Sequence, residues 1–239
     1  MNERLYRLVS WCFNELIWGG DLLGADELPE RGPAVFVSNH LGALGPIAVG
    51  ASLPFRLHAW IHADMLDPRL APDYLRRDFV EGQLHLTRPI SDWLARSISR
   101  IHVPLLRAIG CVPVYHTPDG LFETLRLSLE LLAQGESLLI FPEDPDLPVD
   151  PRYQMTPFKK GFARLGELYY ERTKQILSFY PLVVHAQSLT VRVARPIRYN
   201  PLGNPVNERV RIKNLLERTI HEMYLQASQG DIVHLPLPS

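Results

Sequence analysis

Two polar side chains directly follow apolar runs that are typical of buried strands. His40 comes after the segment AVFVSN, and Glu143 comes after SLLIFP. In an open α/β sheet, ligands bind in the crevice beyond the carboxyl ends of the strands. A histidine at such a position is a candidate general base, because its pKa lies near neutral pH. Taken alone, His40 is more typical of a hydrogen-bonded structural histidine, and Glu143 of a residue that caps a turn.

The segments around these two residues alternate between strand and helix patterns. Strands are predicted at AVFVS (34–38), at 55–61, in GCVPVYHT from Gly110, and in SLLIF, YPLVV and LTVRV. Helices are predicted from Pro89 to a kink or end at Pro104, from Leu121 to Gly135, over 158–171 and over 206–227. The alternation predicts one α/β layered domain over residues 21–239, with a mostly parallel central sheet flanked by helices.

An amphipathic helix is predicted over residues 1–20. Its apolar side chains recur at helical spacing from Leu5 to Ile17, and Trp11 and Trp18 flank the stripe. The stretch is interrupted by polar residues and is too short to cross a bilayer. Two interpretations stay open: a helix packed on the body of the domain, or a helix that lies on a membrane surface.

Composition excludes several other classes of function. The 25 basic and 26 acidic side chains give a net charge of −1, which argues against a nucleic-acid partner. Cys12 and Cys111 lie in apolar runs, so we expect buried thiols, no disulfide and a reducing, cytoplasmic location. His58 and His62 could face one metal ion only on a helix, and they lack a third ligand, so no metal site is predicted. No nucleophile elbow and no glycine-rich phosphate loop occurs.

Four segments taken in order resemble the glycerolipid acyltransferase family of the lysophosphatidate acyltransferase type. They are VFVSNH, GCVPVYH, LLIFPE and YPLVV, with FKKGFARL between the last two. The resemblance spans about residues 22–200 and depends on order, spacing and flanking apolar strands together. It implies transfer of an acyl group from a thioester, acyl-CoA or acyl carrier protein, to the hydroxyl of a lysolipid or other lipid-like acceptor. It implies no cofactor and no metal.

By this resemblance His40 is the general base that deprotonates the acceptor hydroxyl. Glu143 supports the acceptor site, and Asn39, His116 and Lys159 lie at its edge and bind substrate. A cytoplasmic protein bound peripherally to the cytoplasmic face of a membrane is expected, because enzymes of this family act on lipids. The oligomeric state is left open.

The sequence also departs from the family pattern. The family has an aspartate five residues after the histidine, where this chain has Gly45. A substitute carboxylate would have to come from Asp64 or Glu143. The third block reads FPEDPD instead of Phe-Pro-Glu-Gly-Thr-Arg, and carboxylates beside a phosphate would repel it. We therefore expect an acceptor that depends less on phosphate than is usual in the family.

Two alternatives to an acyltransferase remain. A catalytically impaired relative could bind lipid or acyl chains without turnover, as Gly45 and FPEDPD suggest. A hydrolase would consume acyl-CoA without forming an acylated acceptor.

Overall fold

The computed structural model describes residues 3–42, 44–115 and 117–234. The helices are α1 (Glu3–Phe13), α2 (Leu44–Ser52), α3 (Ala71–Leu75), α4 (Ile90–Ile109), α5 (Pro118–Ala133), α6 (Arg164–Thr173) and α7 (Pro205–His234). Two π-helical turns, Asn14–Trp18 and Arg76–Glu81, continue α1 and α3. The strands are β1 (Asp21–Leu23), β2 (Val35–Ser38), β3 (Leu57–His62), β4 (Val112–Val114), β5 (Ser137–Ile140), β6 (Ser178–His185), β7 (Thr190–Val193) and β8 (Ile197–Arg198).

One eight-stranded sheet organises the chain, in the order β1-β7-β6-β2-β5-β3-β4, with β8 paired to β6. The pairs that involve β2, β3, β4 and β5 are all parallel, whereas β7 and β8 run antiparallel to β6. Every residue of β2 and β5 is buried. This burial on both faces explains why these strands read as unbroken apolar runs in the sequence.

Helices cover both faces of the sheet. Val35 and Val37 of β2 point into a cluster that α5, α6 and α7 complete, and Phe36 between them points into a second cluster with Ala48 and Val49 of α2. Successive side chains of a strand point to opposite faces, so a single short strand contributes to both layers of the core. The predicted α/β class, with a mostly parallel sheet between helices, is confirmed.

The N-terminal helix packs on the body and also exposes apolar side chains. Tyr6 is buried, and the Ser10 hydroxyl donates to the carbonyl oxygen of Gly50 in α2 at 2.6 Å. Leu8, Trp11, Leu16 and Ile17 are exposed. Trp18 differs from the prediction: it is 2% exposed and belongs to the core beside α2, so only Trp11 of the two tryptophans remains available to a surface.

Two predicted helix boundaries are wrong. Helix α4 does not end at Pro104 but continues to Ile109. Pro104 lies on the exposed side of α4, where water can satisfy the carbonyl oxygen that loses its amide donor. The helix predicted over 158–171 begins only at Arg164, after a 3₁₀ turn at Gly161–Ala163, because Lys159 still donates its backbone N–H to the carbonyl oxygen of Pro142.

None of the described helices is both long enough and apolar enough to cross a bilayer. Cys12 and Cys111 are free thiols. Burial raises the pKa of the Cys111 thiol to about 11, so this cysteine is protonated at neutral pH.

Gly20, which directly precedes β1, gives a test of the packing around Trp18. A Cβ at Gly20 would overlap the backbone oxygen of Leu189 and lie 2.5 Å from Trp18 Nε1. We expect Gly20→Ala to lower the free energy of unfolding by about 1–3 kcal/mol. Gly50→Ala in α2 is the control, because a Cβ there meets nothing within 4 Å and should be neutral or stabilise by up to about 1 kcal/mol. Chemical denaturation measures both, and equal effects would contradict the prediction.

Candidate active site

The connections that follow the neighbouring strands β2 and β5 lead in opposite directions along the sheet. The chain leaves β2 through α2 toward β3 on one side, and it leaves β5 through α6 toward β6 on the other. Neighbouring parallel strands whose connections lead in opposite directions open a crevice at their carboxyl ends. Val37 is aligned with Ile140 in the ladder, so His40 and Glu143, each three residues further along, reach the same level of this crevice.

Glu143 holds the two strand ends together through the main chain. Its Oε1 accepts the backbone N–H of His40 at 2.5 Å, and its Oε2 accepts the backbone N–H of Thr156 at 2.9 Å. Burial raises the pKa of this carboxyl group, while the two backbone donors oppose the shift. Both carboxylate oxygens are occupied by amides, so Glu143 fixes the position of the His40 backbone and does not hydrogen-bond its ring.

The His40 side chain is accessible from the crevice. The residue is exposed, and its ring packs edge-on against Phe141 with the ring centroids 5.3 Å apart. Partial burial by the surrounding protein lowers the pKa of His40, because desolvation disfavours the imidazolium, and the charge of Asp78 acts in the opposite direction. The ring is therefore neutral at neutral pH and has a nitrogen lone pair that can accept a proton.

Position 45 lies beside His40 and has space for a side chain. A Cβ on Gly45 would lie 3.5 Å from the carbonyl oxygen of Asn39 and 3.9 Å from the carbonyl carbon of His40, which are ordinary contacts. Gly45 is buried in the first turn of α2. Within the described part of the chain, no side chain hydrogen-bonds the His40 ring. The carboxylate that the family pattern places here is absent, although its site has the room for it.

A carboxylate reaches this region from a segment that the sequence left unassigned. Asp78 lies in the π-helical turn that follows α3, and its charge raises the pKa of His40. Burial raises the pKa of Tyr74 to about 12, and the charge of Asp78 and a hydrogen bond to it contribute to that shift. Gln83, just beyond the same turn, lies against Gly42. This carboxylate was missed because residues 67–86 show neither clear periodicity nor a motif.

Asp64, one of the two predicted substitutes, partners a different histidine. Its carboxylate lies 3.7 Å from Nδ1 of His62, which ends β3, and the His62 ring stacks on Tyr74 with a centroid separation of 4.7 Å. Asp64 and Asp78 both act on Tyr74. The charge that acts on His40 comes from Asp78, which replaces both Asp64 and Glu143 as the best candidate for that role.

Asn39 lies within the sheet. It is fully buried, its Nδ2 donates to the carbonyl oxygen of Val184 at 3.0 Å, and its Oδ1 accepts the N–H of Val184 at 2.8 Å. The amide thus extends the pairing of β2 with β6 beyond Ser38. A structural role accounts for both of its polar atoms without a substrate.

The predicted basic group at the edge of the site is paired. Lys159 Nζ lies 3.0 Å from Asp144 Oδ1, and this lysine lowers the pKa of Asp144. Asp144 of the FPEDPD segment therefore neutralises the lysine that was predicted to bind substrate at the edge of the site. His116, predicted at the same edge, lies outside the described residues.

The other histidine and acidic side chains that the structure describes do not form a metal centre. Among residues 3–42, 44–115 and 117–234, no group of three or more histidine, cysteine, aspartate or glutamate side chains could hold a metal ion. His58 and His62 lie in a strand, and His58 is bonded to the carbonyl oxygen of Gly110 and to Glu136. Two cavities of about 390 and 150 Å³ are lined by other residues, around His221 and around Arg56 respectively.

The fold is similar to that of a solved acyltransferase. It matches the crystal structure of the 1-acyl-sn-glycerophosphate (LPA) acyltransferase PlsC from Thermotoga maritima with a TM-score of 0.53, over 92% of this chain and 78% of that chain. The two sequences are 12% identical over this match, so the similarity establishes the fold. No protein-family model and no curated protein matches at the level of sequence.

Removal of one Glu143 oxygen tests its role at the strand ends. In Glu143→Gln the amide nitrogen would face one of the two backbone N–H donors, so we expect a loss of about 1–3 kcal/mol in the free energy of unfolding. The exposed Glu171, changed to Gln, is the control and should have little effect. Urea denaturation compares the two variants. Equal stability would mean that the Glu143 bonds are not needed to hold the crevice.

Proposed function

We propose that this protein is an acyltransferase that moves a fatty acyl group from a thioester donor to the hydroxyl of a lipid-like acceptor, with His40 as general base. The observation that carries the proposal is the accessible, neutral His40 ring at the switch point between β2 and β5. The similarity to the fold of a PlsC acyltransferase supports the same assignment. The donor is acyl-CoA or acyl carrier protein, and no cofactor or metal is required.

In the proposed reaction the unprotonated ring nitrogen of His40 accepts the proton of the acceptor hydroxyl. The oxygen attacks the thioester carbonyl, a C–O bond forms, and the C–S bond breaks as the tetrahedral intermediate collapses. The imidazolium then returns its proton to the departing thiolate, which leaves as a thiol. A base positioned in this way contributes about 10²–10⁴-fold to the rate.

Asp78 is proposed to stabilise the imidazolium in place of the carboxylate that is missing at Gly45. Its charge favours the protonated ring, which forms after proton transfer, and this makes His40 a stronger base. A charge that acts without a hydrogen bond to the ring orients the ring less firmly than a direct partner would. The proposal therefore predicts slower turnover than an otherwise equal site with a hydrogen-bonded carboxylate.

The acceptor is proposed to be a lysolipid or related hydroxyl compound whose binding depends less on a phosphate than is usual in the family that the sequence resembles. The support is the pairing of Lys159 with Asp144 at 3.0 Å, together with the further carboxylates of the FPEDPD segment. The predicted role of His116 in binding substrate at the edge of the site stays a prediction.

Loss of the base is the direct test of catalysis. With acyl-CoA as donor, and with lysophospholipid and monoacylglycerol acceptors offered separately, we expect His40→Ala to lower the rate of acylated product formation by at least about 100-fold. His221→Ala on α7 is the control and should keep the activity. Mass spectrometry of the acylated lipid and assay of the released thiol measure the rates. Thiol release without acylated lipid would indicate a hydrolase instead.

A second candidate function is binding of acyl chains or lysolipids without turnover. It is favoured by Gly45 and by the lack of a hydrogen-bond partner for the His40 ring among the described residues. Stabilisation of the protein against heat by acyl-CoA or lysolipid, with no product from the unmodified chain, would support binding alone.

The effect of nearby carboxylates on the pKa of His40 can be tested by adding one carboxylate and by removing another. Gly45→Asp places a carboxylate beside the ring and should raise the pKa of His40 by about 1–2 units, so activity is lost at a higher pH as the pH falls. Asp78→Asn should lower the pKa of His40, so the loss of activity on acidification should occur at a lower pH. Gly45→Asn is the control, because it has nearly the same shape as aspartate without the charge.

The acid limb of the kcat/KM profile measures these shifts, and NMR titration of the His40 ring protons measures them without turnover. A His40 pKa that is unchanged in both Gly45→Asp and Asp78→Asn would contradict the proposed electrostatics while leaving the role of His40 as base to be judged by His40→Ala.

A further inference from the structure

Helix α4 turns its large apolar side chains toward solvent. Ile90, Trp93 and Ile101 are 58%, 69% and 74% exposed, and Pro104 and Ala108 on the same face are exposed as well. The intervals of three, four or eight residues place these five side chains on one face of a helix. Over the 20 residues of α4, this face extends for about 27 Å from Ile90 to Ala108.

The opposite face of α4, which packs on the domain, has small side chains. Ser91, Ala95, Ser99 and Val103 recur every four residues and are buried. The Ser91 hydroxyl donates to Glu81 at 2.9 Å, and α4 contacts α3 and the π-helical turn Arg76–Glu81. A surface helix of a globular protein ordinarily buries its large apolar side chains and exposes its polar ones. In α4 only part of this arrangement is kept, because Leu94 and Ile98 pack against the core whereas Ile90, Trp93 and Ile101 face solvent.

Basic side chains border the exposed apolar face. Arg96 and Arg100 are exposed on one flank of it, and no ion pair to either is found within the described residues. Asp92, the one acidic residue of α4, is already paired with Arg76 at 3.3 Å and with Arg88 at 3.7 Å. The border is therefore complementary to negatively charged groups and lacks a carboxylate that would repel them.

These features match what an interfacial helix requires. Such a helix inserts its apolar side chains about 5–10 Å into the boundary between headgroups and acyl chains, while arginines at its border meet lipid phosphates. Tryptophan is favoured at that depth, because its ring is apolar and its N–H is polar. This apolar face is the outer side of a single helix, and neither described cavity is lined by residues of α4, which suits a bilayer surface better than a compact protein ligand.

We propose that the outer face of α4, defined by Ile90, Trp93, Ile101, Pro104 and Ala108 with Arg96 and Arg100 at its border, binds the surface of a bilayer that contains anionic phospholipid. This surface is separate from the exposed apolar side chains of α1, Leu8 and Trp11, which lie on the helix that packs against α2. Helix α2 follows His40, and α4 packs against the turn that carries Asp78, so α1 and α4 each pack against a different element that borders the crevice. The proposal does not depend on catalysis by His40.

Vesicle binding by the full chain tests this surface. Flotation with phosphatidylcholine vesicles that contain about 30% phosphatidylglycerol should recover the unmodified protein, and the triple variant Ile90→Ser, Trp93→Ser, Ile101→Ser should bind at least about tenfold more weakly. The matched control is Ile176→Ser, Leu202→Ser, Val206→Ser, which removes three exposed apolar side chains outside α4 and should bind as the unmodified chain does. Thermal unfolding confirms that both variants are folded.

Removal of two arginine charges distinguishes binding to anionic lipid from binding to other partners. Arg96→Gln with Arg100→Gln should lower binding to the anionic vesicles by about 30-fold and change little on pure phosphatidylcholine. No vesicle binding by the unmodified chain, or equal binding by both triple variants, would overturn the proposal. So would a dimer in sedimentation that dissociates in the α4 triple variant while vesicle binding is unchanged, because a second copy would then cover α4. His40→Ala should bind vesicles normally, so failure here is distinct from failure of the catalytic proposal.

Discussion

The carboxylate of Glu143 bonded to the backbone of His40 is the contact on which the geometry of the crevice depends. Parallel strands separate beyond their last ladder bond, and main-chain amides at their ends need new acceptors. Glu143 supplies acceptors for His40 and for Thr156, at 2.5 and 2.9 Å. One side chain therefore joins the end of β2, the end of β5 and the loop that leads to α6, and it fixes the backbone position from which the His40 side chain extends.

This structural use of Glu143 determines the electrostatics of the site. Glu143 accepts one backbone amide at each of its two oxygens and makes no hydrogen bond to the imidazole ring of His40. With glycine at position 45, the carboxylate whose charge raises the pKa of the His40 ring is Asp78, in a turn that follows α3. The site thus combines a neutral, accessible histidine with a carboxylate that acts through its charge, and it lacks the paired arrangement of the motif that the sequence resembles.

The distribution of apolar surface is the other main feature of the molecule. The buried strands β2 and β5 occupy the middle of the sheet, and its two core clusters do not include Ile90, Trp93 or Ile101 of α4. Helix α4 packs on the domain through Leu94 and Ile98 and through a row of mostly small side chains, Ser91, Ala95, Ser99 and Val103. The same periodicity that predicts an amphipathic helix does not reveal which face the rest of the protein covers.

The sequence alone determined the alternation of strands and helices, the mostly parallel sheet and the placement of His40 and Glu143 after the ends of two strands, whereas the structure showed that these strands are neighbours. Each of these follows from local patterns, namely apolar runs, helical spacing and the position of a polar residue after a strand. Only the tertiary structure decided that Glu143 bonds a backbone amide, that Asn39 pairs with Val184, that Asp144 holds Lys159, and that Asp78 is the carboxylate that acts on His40. Those partners lie far apart in the sequence, up to 145 residues for Asn39 and Val184, and no local pattern encodes which distant groups a folded chain brings into contact.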